Sequence, residues 1–361
     1  MSTLKDIQQL EQSVRKLRDK IARQRDRLIS IKGTDVTGEM RLEDEIAEHE
    51  ALLADFQRQL SNHFRIGTPT SDNLLTEKLA SFDEQFSDEV GVFHRVNMNR
   101  EQMSERFFDV ADELESETYQ FYFITACPTQ MPPSFAERLI LEYVDEFLSG
   151  DDNSIRYPMQ GEKGRLQFEQ LPQKRKLNRC QDAFKSFFAQ FFGFTREQDF
   201  DTFIARGIPN LPEEYVCMVF EIEQTKWREG VTAEYLEWIV QTFSNPHEDV
   251  PKFLFFFVTY LQDMHLSDST THPIVQSLDQ LEKSHEPVVH LKPLLPVAEL
   301  DLRAWLRSIG IRNDANVETL VEIIIKGLKQ RERAMYDADK TFNMDDLELV
   351  QKIICDFLDA R

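Results

Sequence analysis

An apolar run, a tight loop and the start of a helix follow one another at residues 124–144, where the sequence reads ITACPTQMPPSFAERLILEYV. Phosphate-binding P-loops are built in this order, with the motif G-x-x-x-x-G-K-[ST] in the loop. Here Cys127 and Pro132 stand at the two glycine positions, Pro133 at the lysine position and Ser134 at the hydroxyl position. The sequence therefore predicts a P-loop position that has lost most of its motif.

The two prolines argue against nucleotide binding at this position. Proline has no backbone N–H and a fixed φ, so Pro132 and Pro133 remove two donors where a phosphate would need them. The lysine that would neutralise the phosphate is also missing, and no Gly-Lys pair occurs anywhere in the chain. We therefore predict that the chain holds no nucleotide and no other cofactor.

Ser134 is the one motif residue that remains, and two roles are open to it. Its hydroxyl stands where a working P-loop has a magnesium ligand. It also precedes Glu137 by three residues, which is the spacing of a helix capping box. We favour the capping role.

A pair of glutamates stands at the end of a second predicted strand, VCMVFEIEQ (216–224). A strand that organises magnesium and water would end in Asp followed by Asp or Glu, whereas here Ile222 separates Glu221 from Glu223. Alternate strand residues share one face, so a weak metal site is one alternative. We favour a solvated strand end and predict no metal site.

Cys127 could be a nucleophile, because a thiolate near a helix N-terminus is stabilised. It would need a histidine partner, and none of the eight histidines lies in a recognisable partner motif. The motifs G-x-S-x-G, H-E-x-x-H and G-x-G-x-x-G are absent. We therefore interpret Cys127 as a buried structural cysteine and predict that the chain is not an enzyme.

The composition limits the class of partner. The formal net charge of −22 predicts a surface that repels nucleic acid and anionic membrane and suits a basic protein partner. The longest apolar stretch, FLFFFVTYL (253–261), is far shorter than a membrane helix needs. The four cysteines have no C-x-x-C spacing, which argues against zinc and disulfides and indicates the reducing cytoplasm.

The first 66 residues predict an antiparallel helical hairpin of the coiled-coil type. Apolar residues recur at alternating steps of three and four in both halves, on either side of the turn KGTDVTG (32–38). Residues 1–33 hold nine Lys or Arg and four Asp or Glu, a net +5, whereas residues 34–63 hold two and eight, a net −6. The two helices should therefore attract each other.

The rest of the chain alternates strands with helices. Five predicted strands, at 119–126, 165–171, 214–224, 252–261 and 287–294, indicate a three-layer α/β domain with a mostly parallel sheet. Three helices then close the chain. We predict a hairpin over 1–66, an α/β domain over 67–296 and a C-terminal helical segment over 297–361.

The chain resembles the inactive STAND proteins of bacterial conflict and defence systems, which are relatives of signal-transducing P-loop ATPases without the nucleotide motifs. The resemblance covers about residues 90–310 and rests on the segments VNMNREQMSERF (96–107), FYFITACPTQMPPSFAERLI (121–140) and VVHLKPLLPVAELDLRAWL (288–306). It implies a STAND-like α/β core that acts through protein contacts. No catalytic residue carries over, since the matching positions are the degenerate ones.

The resemblance favours a non-catalytic adaptor or regulatory subunit of a bacterial antiviral defence or signalling system. Its protein partner would be an effector or sensor of the same system, bound through the hairpin and the α/β domain, and the hairpin could also join a second copy of the chain. One alternative is a regulatory protein that binds a nucleotide without hydrolysing it. Another is an enzyme that depends on Cys127.

Overall fold

The computed structural model describes residues 71–82, 92–98, 100–148, 164–171, 174–194, 200–243, 251–261, 272–329 and 341–359, together with isolated residues between 20 and 52. Those isolated residues are helical, and Gln24 Nε2 donates a hydrogen bond to Glu45 Oε2 at 2.9 Å. The rest of the hairpin predicted over 1–66 lies outside the described residues and stays a prediction. The chain divides into two compact units, Met1–Leu75 and Thr76–Arg361. The domain boundaries predicted near 66 and 296 stay predictions.

A five-stranded sheet with all strands parallel forms the centre of the second unit, in the order β2-β3-β4-β1-β5. This confirms the predicted three-layer α/β class. The three central strands are almost completely buried, which explains why they read as continuous apolar runs rather than as alternating patterns. The strands are β1 (Tyr119–Ala126), β2 (Gly164–Gln170), β3 (Tyr215–Glu223), β4 (Lys252–Tyr260) and β5 (Val288–Leu294).

Helices cover both faces of the sheet. One face packs against α2 and α3, where Phe107 and Leu139 join a core with Tyr122. The other face packs against α4, α5 and α6, where Phe184 joins a second, mainly aromatic core with Phe255. The helices in chain order are α1 (Ser71–Ser81), α2 (Glu101–Glu113), α3 (Pro132–Leu148), α4 (Leu177–Phe192), α5 (Val231–Thr242), α6 (Pro273–Ser284), α7 (Glu299–Ser308), α8 (Asp314–Lys329) and α9 (Met344–Asp359).

The strand order creates a switch point between β1 and β4. The connection through α3 runs from β1 to the edge strand β2, whereas the connection through α6 runs from β4 across β1 to β5 on the other side. Neighbouring strands therefore send their helices to opposite faces of the sheet. In open α/β sheets, ligands bind in the crevice at the carboxyl ends of strands at such a point. The loop after β1, which contains Cys127, lies at this edge.

The C-terminal helices form a small group beside the sheet. Their buried side chains, such as Leu306 and Val321, belong to neither of the two sheet cores. Ion pairs join α7 to α8, with Arg303 contacting Glu318 at 2.8 Å. The two-residue strands β6 (Val297–Ala298) and β7 (Thr341–Phe342) pair antiparallel and bring the start of α9 close to the start of α7. In the part of the chain that is described, no helix has the length and apolar character needed to cross a membrane.

Candidate functional site

The loop after β1 is a closed turn rather than an open cradle. Residues Pro128–Gln130 form one turn of 3-10 helix, and Met131 follows in the left-handed region with φ 50°. The backbone N–H of Gln130 donates to Cys127 O and that of Met131 to Pro128 O, both at 3.0 Å. Pro132 and Pro133 then open α3 without N–H groups. Of the backbone donors of this loop, those of Gln130 and Met131 are thus used within the turn, and positions 132 and 133 have none.

Ser134 takes part in a hydrogen-bond network rather than in a helix cap. The helix begins at Pro132, two residues before Ser134, so the capping-box interpretation with Glu137 is wrong. The Ser134 hydroxyl donates to Met131 O at 2.8 Å and accepts from Asn97 Nδ2 at 2.8 Å. Asn97 Nδ2 also reaches Met131 O at 3.3 Å. A side chain from the segment before β1 therefore holds the loop at the position where the motif serine would bind magnesium.

Two buried arginines support Asn97. Arg138 Nη1 donates to Asn97 O at 2.7 Å, and its Nη2 contacts Glu142 at 3.2 Å. Arg100 Nη2 donates to Asn97 Oδ1 at 3.5 Å, and its Nη1 donates to Leu295 O at 3.0 Å. Desolvation lowers the pKa of Arg138, and it lowers the pKa of Arg100 to about 10 against the attraction of Asp301. These contacts use the guanidinium groups to fix backbone carbonyls, and both cations have a nearby carboxylate, so the pair is poorly suited to an anionic ligand.

The two glutamates at the end of β3 have separate protein partners. The Tyr260 hydroxyl donates to the Glu221 carboxylate, whereas Glu223 pairs with Lys226 at 3.2 Å. Burial, followed by the bond to Glu221, raises the pKa of Tyr260. Among the described residues, no group of three or more His, Cys, Asp or Glu side chains is placed to hold a metal ion. The arrangement fits a strand end whose carboxylates are already engaged.

Cys127 is half-buried, whereas the sequence interpretation expected it to be buried. It lies one residue beyond β1, where the chain leaves the buried sheet and enters the 3-10 turn. Cys180, Cys217 and Cys355 are buried, and burial raises the pKa of the Cys217 thiol. Cys127 is thus the most accessible of the four.

The residues that the sequence reasoning missed come from distant parts of the chain. Asn97 lies 37 residues before Ser134, and Gln130 Nε2 donates to Asn343 Oδ1, 213 residues further on, at 2.9 Å. The segment VNMNREQMSERF was noted for its resemblance to a family, but nothing in it indicated that Asn97 contacts the degenerate loop. The prolines at 132 and 133, together with the missing lysine, indicated that the loop does not bind phosphate, but they did not indicate these partners.

Comparisons with known proteins concern the family of the chain rather than its single residues. Residues 95–259 match the family model iSTAND, described as inactive STAND, which confirms the resemblance noted from the sequence. Among curated proteins, no relative matches the chain. A solved structure titled as the ORC2 protein of Aeropyrum pernix in ADPNP-ADP complexes is similar at 13% identity and a TM-score of 0.37, over 71% of this chain and 67% of that one. That TM-score is too low to support a transfer of function.

Proposed function

We propose, from the match of residues 95–259 to the inactive STAND family, that the chain is a non-catalytic adaptor or regulatory subunit. It would act through protein–protein contacts in a bacterial antiviral defence or signalling system, in the cytoplasm. The α/β domain serves as a recognition platform, and residues 1–66 tether an effector, a sensor or a second copy of the chain. The net charge of −22 favours a partner with a basic surface.

The observation that carries this proposal is the state of the backbone N–H donors at residues 130–133 of the loop. A P-loop binds phosphate through backbone N–H groups and a lysine that converge on one point. Here the N–H groups of Gln130 and Met131 are hydrogen-bonded inside the turn, and Pro132 and Pro133 supply none. The Ser134 hydroxyl is engaged by Asn97. A phosphate would have to break these bonds and would still meet no lysine.

The proposal predicts that the chain does not bind ATP with magnesium at micromolar concentration. Isothermal titration calorimetry of the full chain at micromolar concentration should give no binding heat above dilution. A thermal-shift assay with the same nucleotide and with ADP should leave the melting temperature unchanged. A dissociation constant below about 10 μM, equivalent to roughly −7 kcal/mol, would contradict the proposal and favour a nucleotide-binding regulator instead.

A further inference from the structure

The degenerate loop is attached to the C-terminal helices through a small set of polar contacts. His94 O accepts from Trp305 Nε1 of α7 at 3.0 Å and from Gln351 Nε2 of α9 at 3.4 Å. Gln130 Nε2 of the loop donates to Asn343 Oδ1, immediately before α9, at 2.9 Å. We call these five residues, His94, Gln130, Trp305, Asn343 and Gln351, the C-terminal joint.

One residue of the C-terminal joint, Gln130, belongs to the loop at the degenerate P-loop position. Two asparagines bind this loop and the start of α3. Asn97 binds Ser134 and Met131 O, and Asn343 binds Gln130. The segment that carries Asn97 also supplies the His94 carbonyl on which α7 and α9 converge. Protein side chains therefore connect the sheet domain to the C-terminal helices at the point where a bound ligand could otherwise have done so.

Two glutamines of the C-terminal joint have a buried side-chain oxygen that accepts no hydrogen bond from the described residues. Gln130 and Gln351 are 2% and 1% exposed. Each uses its amide N–H but leaves its Oε1 buried with no hydrogen-bond partner among the described residues. A buried acceptor without a donor costs free energy. These contacts therefore stabilise the attachment of the C-terminal helices less than a network in which every polar group is hydrogen-bonded would. Regions held by weak contacts open before the core does.

We propose that the C-terminal joint is a conformational latch. It joins α7 and α9 to the His94 carbonyl and the residue before α9 to the 127–131 loop without a nucleotide. Its opening, rather than nucleotide exchange, lets the C-terminal helices separate from the sheet domain. This inference rests on the proposed function in one respect, namely that no nucleotide bridges the loop and the helices. Variants of the side-chain contacts nevertheless test the latch in the absence of nucleotide.

Hydrogen–deuterium exchange of the full chain tests the latch. Gln130→Ala and Asn343→Ala each remove the bond between the loop and the start of α9, so exchange in 344–359 should become about five-fold faster, as expected for the loss of one hydrogen bond. Peptides from β1 and β4 should keep the wild-type exchange rate. The double variant should exchange no faster than either single variant, because both remove the same bond. Gln280→Ala, an exposed glutamine on α6, is the matched control and should change neither region.

Two results would overturn the latch. Equal acceleration in 344–359 and in the sheet would mean that the C-terminal helices unfold with the core. Unchanged exchange in both single variants would mean that the contact between Gln130 and Asn343 does not hold the helices. Adding ATP and magnesium to the wild-type chain separates the two proposals. Slower exchange of 344–359 with nucleotide would contradict the proposed function, whereas the variants in nucleotide-free buffer decide the latch.

Discussion

At the scale of single residues, two buried tyrosines on opposite faces of the sheet differ in how their hydroxyls are satisfied. The Tyr122 hydroxyl donates to Gln120 Oε1 at 2.6 Å, and both side chains are fully buried. The Tyr235 hydroxyl is buried in the aromatic core on the other face, with no hydrogen-bond partner among the described residues. Burial is the main cause that raises the pKa of each phenol, so both are neutral when folded.

This difference predicts opposite effects of the same substitution. Tyr122→Phe removes the donor to Gln120 Oε1 and leaves a buried acceptor unpaired, so it should lower the free energy of unfolding by roughly 1–3 kcal/mol. Tyr235→Phe removes a hydroxyl that lacks a partner, so stability should stay the same or rise by up to about 1 kcal/mol. Urea denaturation of the two variants measures both changes. A similar loss of stability in the two variants would show that the Gln120 bond is not what distinguishes them.

At the scale of secondary-structure elements, stacked phenylalanines join the central strands. Phe257 of β4 is fully buried and stacks on Phe123 of β1 at 4.8 Å and on Phe220 of β3 at 5.2 Å between ring centroids. The in-register parallel pairing places these rings side by side. Each interior ring thus contributes apolar burial and ring contacts to three strands at once.

The stack predicts a large cost for truncating its central ring. Phe257→Ala should lower the free energy of unfolding by roughly 3–5 kcal/mol, because it leaves a cavity between three strands. Phe168→Ala provides the matched control, since Phe168 lies on the edge strand β2 and is 38% exposed. Its cost should be about 1 kcal/mol or less. Chemical denaturation of both variants checks the contrast, and comparable losses would argue against a core centred on β1, β3 and β4.

Element positions were largely predictable because apolar runs and helical periodicity are local signals. The strand predicted at 119–126 is Tyr119–Ala126, and the strand predicted at 252–261 is Lys252–Tyr260. The order of the strands and the pairing of β6 with β7 were not predictable, since they depend on contacts between distant segments. The prediction of the site was incomplete for the same reason. The prolines indicated a lost motif, but the bonds of Asn97 and Asn343 to the loop have no local signature.

At the scale of the whole molecule, the degenerate P-loop position and the C-terminal helices belong to the second compact unit, Thr76–Arg361. Asn343, the residue before α9, contacts Gln130 of the 127–131 loop directly. The first compact unit, Met1–Leu75, has its own internal contacts. A conformational change requires a ligand or partner with different affinity for the two states, so under the proposed function that ligand is a protein partner rather than a nucleotide. The C-terminal helices and the first compact unit are therefore best tested in separate experiments.

Deleting residues 1–66 tests whether the N-terminal segment is an independent tether. The sequence predicts two helices of about 30 residues, each roughly 45 Å long at 1.5 Å per residue, which is longer than capping a domain requires. We expect the truncated chain to stay monodisperse and to unfold in one cooperative transition, because both sheet cores lie within 67–361. It should lose self-association or partner binding, which light scattering and a binding assay against the full chain would measure. Aggregation or a much earlier melting transition would instead show that residues 1–66 cover part of the α/β domain. A stable remainder with unchanged mass and unchanged binding would contradict the tether as well.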